Sequence, residues 1–191
     1  FNSEFANKIN DPKGGLINNN YAKGSGIIMN LSYAQKGAAI NLKTHRIDNM
    51  DFRSDRSATG NNLTLNYVPP ITKQHTYTLS AMYPFATQLM GEIGGEVTLN
   101  YTIKKSSLLG GKYGTKLNFS FSKIHGLEGG PSVYNDSIDF TPKPLATGEL
   151  YFKNVNIELK KKINKKLSLI FNYDKIAYNK DVIQGLAGYG I

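Results

Sequence analysis

The chain has 191 residues and a formal net charge of +9 from 23 basic and 14 acidic residues, with 40% hydrophobic residues and a mean hydropathy of −0.36. That length suits one domain spanning residues 1–191, or part of a larger one, and the composition excludes a helical membrane protein and a chain too polar to fold. With no cysteine, a disulfide framework, a thiol nucleophile and cysteine-ligated metals are excluded, while 12 tyrosines and 19 glycines favour strands and turns.

In chain order, Ser3–Ile9 reads as a portion of a strand or loop without an assigned partner. Eight amphipathic strands follow, each alternating with a period of two. Met29, Leu31 and Tyr33 alternate with Asn30 and Ser32. After a turn at Lys36-Gly37, Ile40 and Leu42 alternate with Asn41 and Lys43. Leu63, Leu65 and Tyr67 alternate with Thr64 and Asn66. Tyr77, Leu79, Ala81 and Tyr83 oppose Thr78 and Ser80. Val97, Leu99, Tyr101 and Ile103 alternate with Thr98, Asn100 and Thr102. Leu117, Phe119 and Phe121 alternate with Asn118 and Ser120. Val155, Ile157 and Leu159 alternate with Asn156 and Glu158, and Leu167, Leu169, Phe171 and Tyr173 complete the set. The expected fold class is all-β with antiparallel neighbours.

Two architectures bury such strands. A sandwich packs its apolar faces together, whereas a transmembrane β-barrel turns them to lipid and lines its lumen with the polar set. Three features favour the antiparallel transmembrane barrel. The polar positions are Asn, Ser and Thr more than Lys and Glu, which suits a wet interior. Asn30, Asn41, Lys43, Asn66, Asn100, Asn118, Asn156 and Glu158 are therefore expected to face the lumen. Tyr33, Tyr67, Tyr83, Tyr101 and Tyr173 lie near strand ends, as in an interfacial aromatic girdle. Connections near 35–37, 68–75 and 160–166 are compact, those near 46–60, 84–94 and 125–148 are long, and 104–114 fits either class. Short turns would then lie in the periplasm and long loops outside. Small inward residues would under-fill an eight-stranded ring. The chain also opens at Phe1 and ends Gly188-Tyr189-Gly190-Ile191, so an arc of a larger barrel, incomplete at both ends, is expected.

Several segments resemble a family of uncharacterised outer-membrane β-barrel proteins of Bacteroidetes. They are Tyr21-Ala22-Lys23-Gly24, Ser32 to Gly37, Arg46 to Arg56 with Ala58-Thr59-Gly60-Asn61, Lys73 to Tyr77, and Gly110 to Thr115. The resemblance covers roughly residues 10–185 and is most specific over Asn49–Asn61. It implies a barrel in the outer membrane of a Gram-negative cell, considerably longer than this chain. It implies no established activity and supplies no catalytic residues.

Chemistry-bearing residues are sparse. Arg46, Asp48, Asp51, Arg53, Asp55 and Arg56 form a charged loop that could gate the lumen or dock a partner through bidentate pairs, or simply be a solvated loop. Its spacing does not match a calcium loop. His45, His75 and His125 lie at different strand ends without zinc-hydrolase spacing, so no catalytic residue, metal or cofactor is expected. Lys160, Lys161, Lys162, Lys165 and Lys166 lack the interleaved aromatics of a nucleic-acid surface and read as charge at a membrane rim. The long loop 126–148, with Gly129-Gly130-Pro131 and Pro142-Lys143-Pro144, reads as functional or packed into the lumen. The expected function is a non-enzymatic porin-like pore or a barrel subunit of an envelope transport or assembly complex, with a plugged structural or interaction scaffold as the alternative and a barrel hydrolase using one of the histidines as the least favoured reading. Expected partners are outer-membrane lipid, lipopolysaccharide and envelope proteins, with no nucleic acid.

Overall fold

Seven long strands carry nearly all the regular structure. A computed structural model describes residues 1–12, 21–55, 63–128 and 147–183 of the chain. The strands are β1 (Asn2–Pro12), β2 (Tyr21–Gln35), β3 (Ala38–Asp48), β6 (Gly91–Ile103), β7 (Thr115–Leu127), β8 (Thr147–Lys162) and β9 (Ser168–Tyr178). They form one antiparallel sheet in the order β1-β2-β3-β6-β7-β8-β9. A two-residue pair, β4 (Phe52–Arg53) with β5 (Thr64–Leu65), stands apart. Among the described residues helix is confined to a 3₁₀ turn at Ser80–Met82 and one α turn, α1 (Lys180–Ile183). Among the described residues the sheet is open, with β1 and β9 at its edges, and no helix is long and apolar enough to cross a membrane.

Successive connections alternate between two rims. At one rim β2 turns into β3 through Lys36-Gly37, where Gly37 takes φ +83, a left-handed conformation suited to a residue without Cβ. Residues 104–114 and 163–167 share that rim, and in the latter Asn164 Oδ1 accepts hydrogen bonds from the Lys166 and Leu167 amides, both at 2.8 Å. At the opposite rim the chain leaves β3 at Asn49 and returns to β6 through Met90, and β7 ends and β8 begins there, so 104–114 lies on the same side as the turn at Lys36-Gly37.

Two expected strands are absent from the sheet, and one unassigned segment joins it. Residues 2–12 form the edge strand β1. The segment around 62–67 contributes only the short β5, and 77–83 contains the 3₁₀ turn. Prolines explain this. Pro69, Pro70 and Pro84 bracket the region, and each removes a ladder donor and restricts the residue before it. Residues 49–90 are instead one insertion between β3 and β6.

The register sorts side chains into two faces. Towards the short-turn rim one face carries Leu31, Leu42, Val97, Phe121 and Val155 in one row, then Tyr33, Ile40, Leu99, Phe119, Ile157 and Tyr173 in the next. This face is bare: Leu31, Tyr33 and Phe171 are 51%, 60% and 59% exposed. The opposite face carries Asn154, Asn156, Ser120, Ser122 and Glu158, all buried. Nearer the long-loop rim the polarity inverts. There the bare face presents Lys123, Lys153 and Lys175, while Ile47, Ile124 and Phe152 point to the covered face and are buried.

Candidate functional site

The covered face is where the structure concentrates chemistry, and residues 63–90, the described returning part of the insertion between β3 and β6, cover it. The neck of the insertion is narrow. Asn49 leaves β3 at φ 49, a left-handed conformation that asparagine tolerates. The Asn49 amide then bonds Met90 O at 2.9 Å and the Met50 amide bonds Leu89 O at 2.8 Å, while Asn49 Nδ2 donates to Lys23 O at 2.8 Å. Outgoing and returning limbs are tied by Asn66 Nδ2 to Thr87 O and Thr87 Oγ1 to Val68 O, each 3.0 Å.

Below the neck lies the molecule's apolar core. Phe85 of the insertion packs on Ile124 and Phe152, with the Phe85 and Phe152 rings 5.2 Å apart, and Tyr83 tilts against Tyr178 at 5.5 Å. Beside this core His45 and Glu92 meet at 2.5 Å, and the second Glu92 oxygen accepts the Gln88 amide of the insertion at 2.6 Å. This buried contact therefore joins β3, β6 and the insertion.

A latch holds the middle of the insertion to β8 and β9. Tyr77 donates its hydroxyl to Glu158 at 2.6 Å, Lys73 donates to Asn156, and Ser80 donates to Asp174. His75 sits between Asn154, 3.4 Å from Nε2, and Asp174, 3.7 Å from Nδ1. Asp174 also accepts from Asn156 and Asn172 at 2.7 and 2.8 Å. Buried amides and carboxylates are costly unless bonded, so this polar face is stable only with a polar cover or water against it. Burial holds the His75 imidazole below its ordinary pKa; Lys73 adds to that effect and Asp174 opposes it. The bond to Glu158 pushes the Tyr77 phenol up, with burial a lesser cause.

The serine–carboxylate–histidine contact is not a nucleophilic arrangement. Ser80 donates to Asp174 and not to His75, whereas an activated serine needs the imidazole on its own hydroxyl. Among the described residues, no three metal-ligating side chains come together.

The residues singled out by sequence fall as follows. Asn30, Asn41, Lys43, Asn100, Asn118, Asn156 and Glu158 share the covered face, where Lys43 faces Glu96 at 3.8 Å and Asn118 donates to Asn100 at 3.0 Å. Asn66 lies on the insertion. Tyr33, Tyr101 and Tyr173 are on the bare face; Tyr67, 87% exposed, and Tyr83 belong to the insertion and not to a strand. Arg46 and Asp48 pair within β3 at 3.3 Å, the Asp51 carbonyl accepts from Lys8 at 2.9 Å, Arg53 is in β4 and Asp55 is exposed. Arg56 and most of loop 126–148 lie outside the described residues, as does the C-terminal end beyond 183. Sequence reasoning passed over Lys73, His75, Tyr77, Ser80 and Asp174 as site residues; the proline brackets were the signal that 68–84 was not sheet.

An antiparallel sheet with one bare apolar face and one polar face closed by an insertion defines an all-β protein of inverted polarity. The chain belongs to a family of unknown function, DUF6029, whose model matches residues 1–189. No curated protein and no solved structure matches it.

Proposed function

We propose that this chain forms wall of an outer-membrane β-barrel whose lumen is occupied by residues 49–90, acting as a non-enzymatic plugged scaffold in the cell envelope. One observation carries this reading: the sheet hides Asn, Ser and Glu while baring Leu, Ile, Phe and Tyr. Water as the outer solvent would favour the opposite arrangement, whereas lipid favours this one. The height of the apolar band supports it. On β8 the bare face runs from Lys153 through Val155, Ile157 and Leu159 to Lys161, about 26 Å of strand at ~3.3 Å per residue. A tilt of ~40° reduces this to about 20 Å, and lysine stems snorkelling to both interfaces extend the fit to a band ~25 Å tall. Above it β7, β8 and β9 carry Lys123, Lys153 and Lys175 outside and Ile124 and Phe152 inside, as suits a part of the wall standing in water around the core of the insertion.

Between the two expected functions, the covered face favours the plugged scaffold over an open pore. Under this reading β1 and β9 must meet further strands, because unpaired backbone groups in lipid cost several kcal/mol each. Partners in the envelope would contact the long-loop rim. Refolding tests the reading. The chain is expected to reach its β-sheet signature only with detergent micelles or bilayers, and to fractionate with outer membranes. A monodisperse folded protein in plain buffer would sink it.

A further inference from the structure

We propose that the short-turn end of the covered face binds a multivalent oxyanion of the phosphate or sulfate kind. Lys116 and Lys160 are direct cross-strand partners of β7 and β8 on that face, and like charges placed opposite each other destabilise a sheet. Lys162 follows on the same face, 5.4 Å from the centre of the Tyr113 ring, and Lys112 lies 5.9 Å from the same centre. The Tyr113 ring thus lies within cation–π reach of two ammonium groups. Glu158, the carboxylate beside them, is engaged by Tyr77 and, at 3.1 Å, by Lys160. The hydrogen bonds of the insertion on β8 reach Glu158, which with Lys116, Lys160, Asn100 and Asn118 lines an open depression; its charge there is met by Lys160 and by the Tyr77 hydroxyl. Facing lysines with adjacent amides in a concavity suit an oxyanion that can bridge several donors. Their position on the covered face, away from the apolar bare face, argues for a soluble anion and not a lipid headgroup. The inference does not rest on the membrane reading, since it uses only the covered face.

Tripolyphosphate is the probe. Calorimetric titration of the full chain, in detergent or buffer as folding requires, is expected to show saturable binding. Lys116→Gln with Lys160→Gln should weaken it at least about tenfold, through loss of two charge-assisted contacts. Lys165→Gln with Lys166→Gln, at the exposed turn, should change it by less than about twofold, as screened surface charges do. Absence of saturable binding, or equal losses in both double variants, would overturn the site. Should the first double variant misfold, amine acetylation of the unaltered protein decides: tripolyphosphate should protect Lys116 and Lys160 over Lys165 and Lys166, and uniform labelling would refute the proposal.

Discussion

His75 and Asp174 show how single residues set the hold of the insertion. With its pKa below the ordinary value of 6.5, docked His75 stays neutral where the undocked imidazole would take a proton. Its contribution is therefore complete above that ordinary value, declines as pH falls below it, and stops declining beneath the depressed value. Hydrogen exchange in residues 66–88 should accelerate across this window, and His75→Gln should flatten the response; a persistent step would assign it to another group. Asp174 accepts bonds from Ser80, Asn156 and Asn172. Asp174→Asn directs an amide at some of those donors, and a destabilisation of about 1–3 kcal/mol is expected from urea unfolding. Neither residue was legible as functional in the sequence. Asp174 reads as one polar position in an amphipathic strand, and only the fold brings a segment some hundred residues away to meet it.

At the scale of elements, the hydrophobic period identified the lower halves of six sheet strands and missed their upper halves. Val97–Ile103 reads as strand because its apolar residues share one face, but Gly91–Glu96 belongs to the same β6 and carries Glu92 and Glu96 on the covered face. Gly91, Gly94 and Gly95 leave most of the apolar positions there empty, so alternation from one end breaks off. Close packing there is testable. A Cβ on Gly94 would lie 2.8 Å from Ile124 Cγ1 and 3.0 Å from Lys123 O. Gly94→Ala should destabilise the sheet by about 1–3 kcal/mol, since a central ladder cannot shift to make room. The insertion misled for another reason: Tyr77, Leu79, Ala81 and Tyr83 alternate like a strand, yet tertiary contacts place them over β8 and β9. Replacing 66–88 with a short Gly-Ser linker leaves the neck bonds of Asn49 and Met50 in place. On the proposed reading, bilayers containing this variant should conduct while the intact protein stays silent; equal conductance would return the open pore as the better function.

For the whole molecule the governing feature is which face meets which solvent. Phe119 lies in the middle row of the bare face, and Thr44 lies in the row beside Gly95 and Lys123 where charge begins. On the proposed membrane reading, unfolding from lipid bilayers should show a cost of about 2–4 kcal/mol for Phe119→Arg and at most about 1 kcal/mol for Thr44→Arg, following the depth each position would have in the bilayer. Equal costs would mean the bare face is buried against protein, as in a sandwich.

The sequence alone determined the antiparallel β class, the face on which the residues of six sheet strands lie, and the compact turns near 35–37 and 160–166; the compact turn read at 68–75 lies instead inside the insertion. Those properties are local: a period of two, Gly and Asn at turns, and the distance between apolar runs express themselves residue by residue. Only the tertiary structure decided that residues 49–90 are one insertion, that it covers the polar face, and that His75, Tyr77 and Ser80 latch onto Asn154, Glu158 and Asp174. Such pairings depend on where a long connection is laid down. That choice is made by the summed burial of Phe85 against Ile124 and Phe152 and the satisfaction of buried polar groups, which no local period encodes.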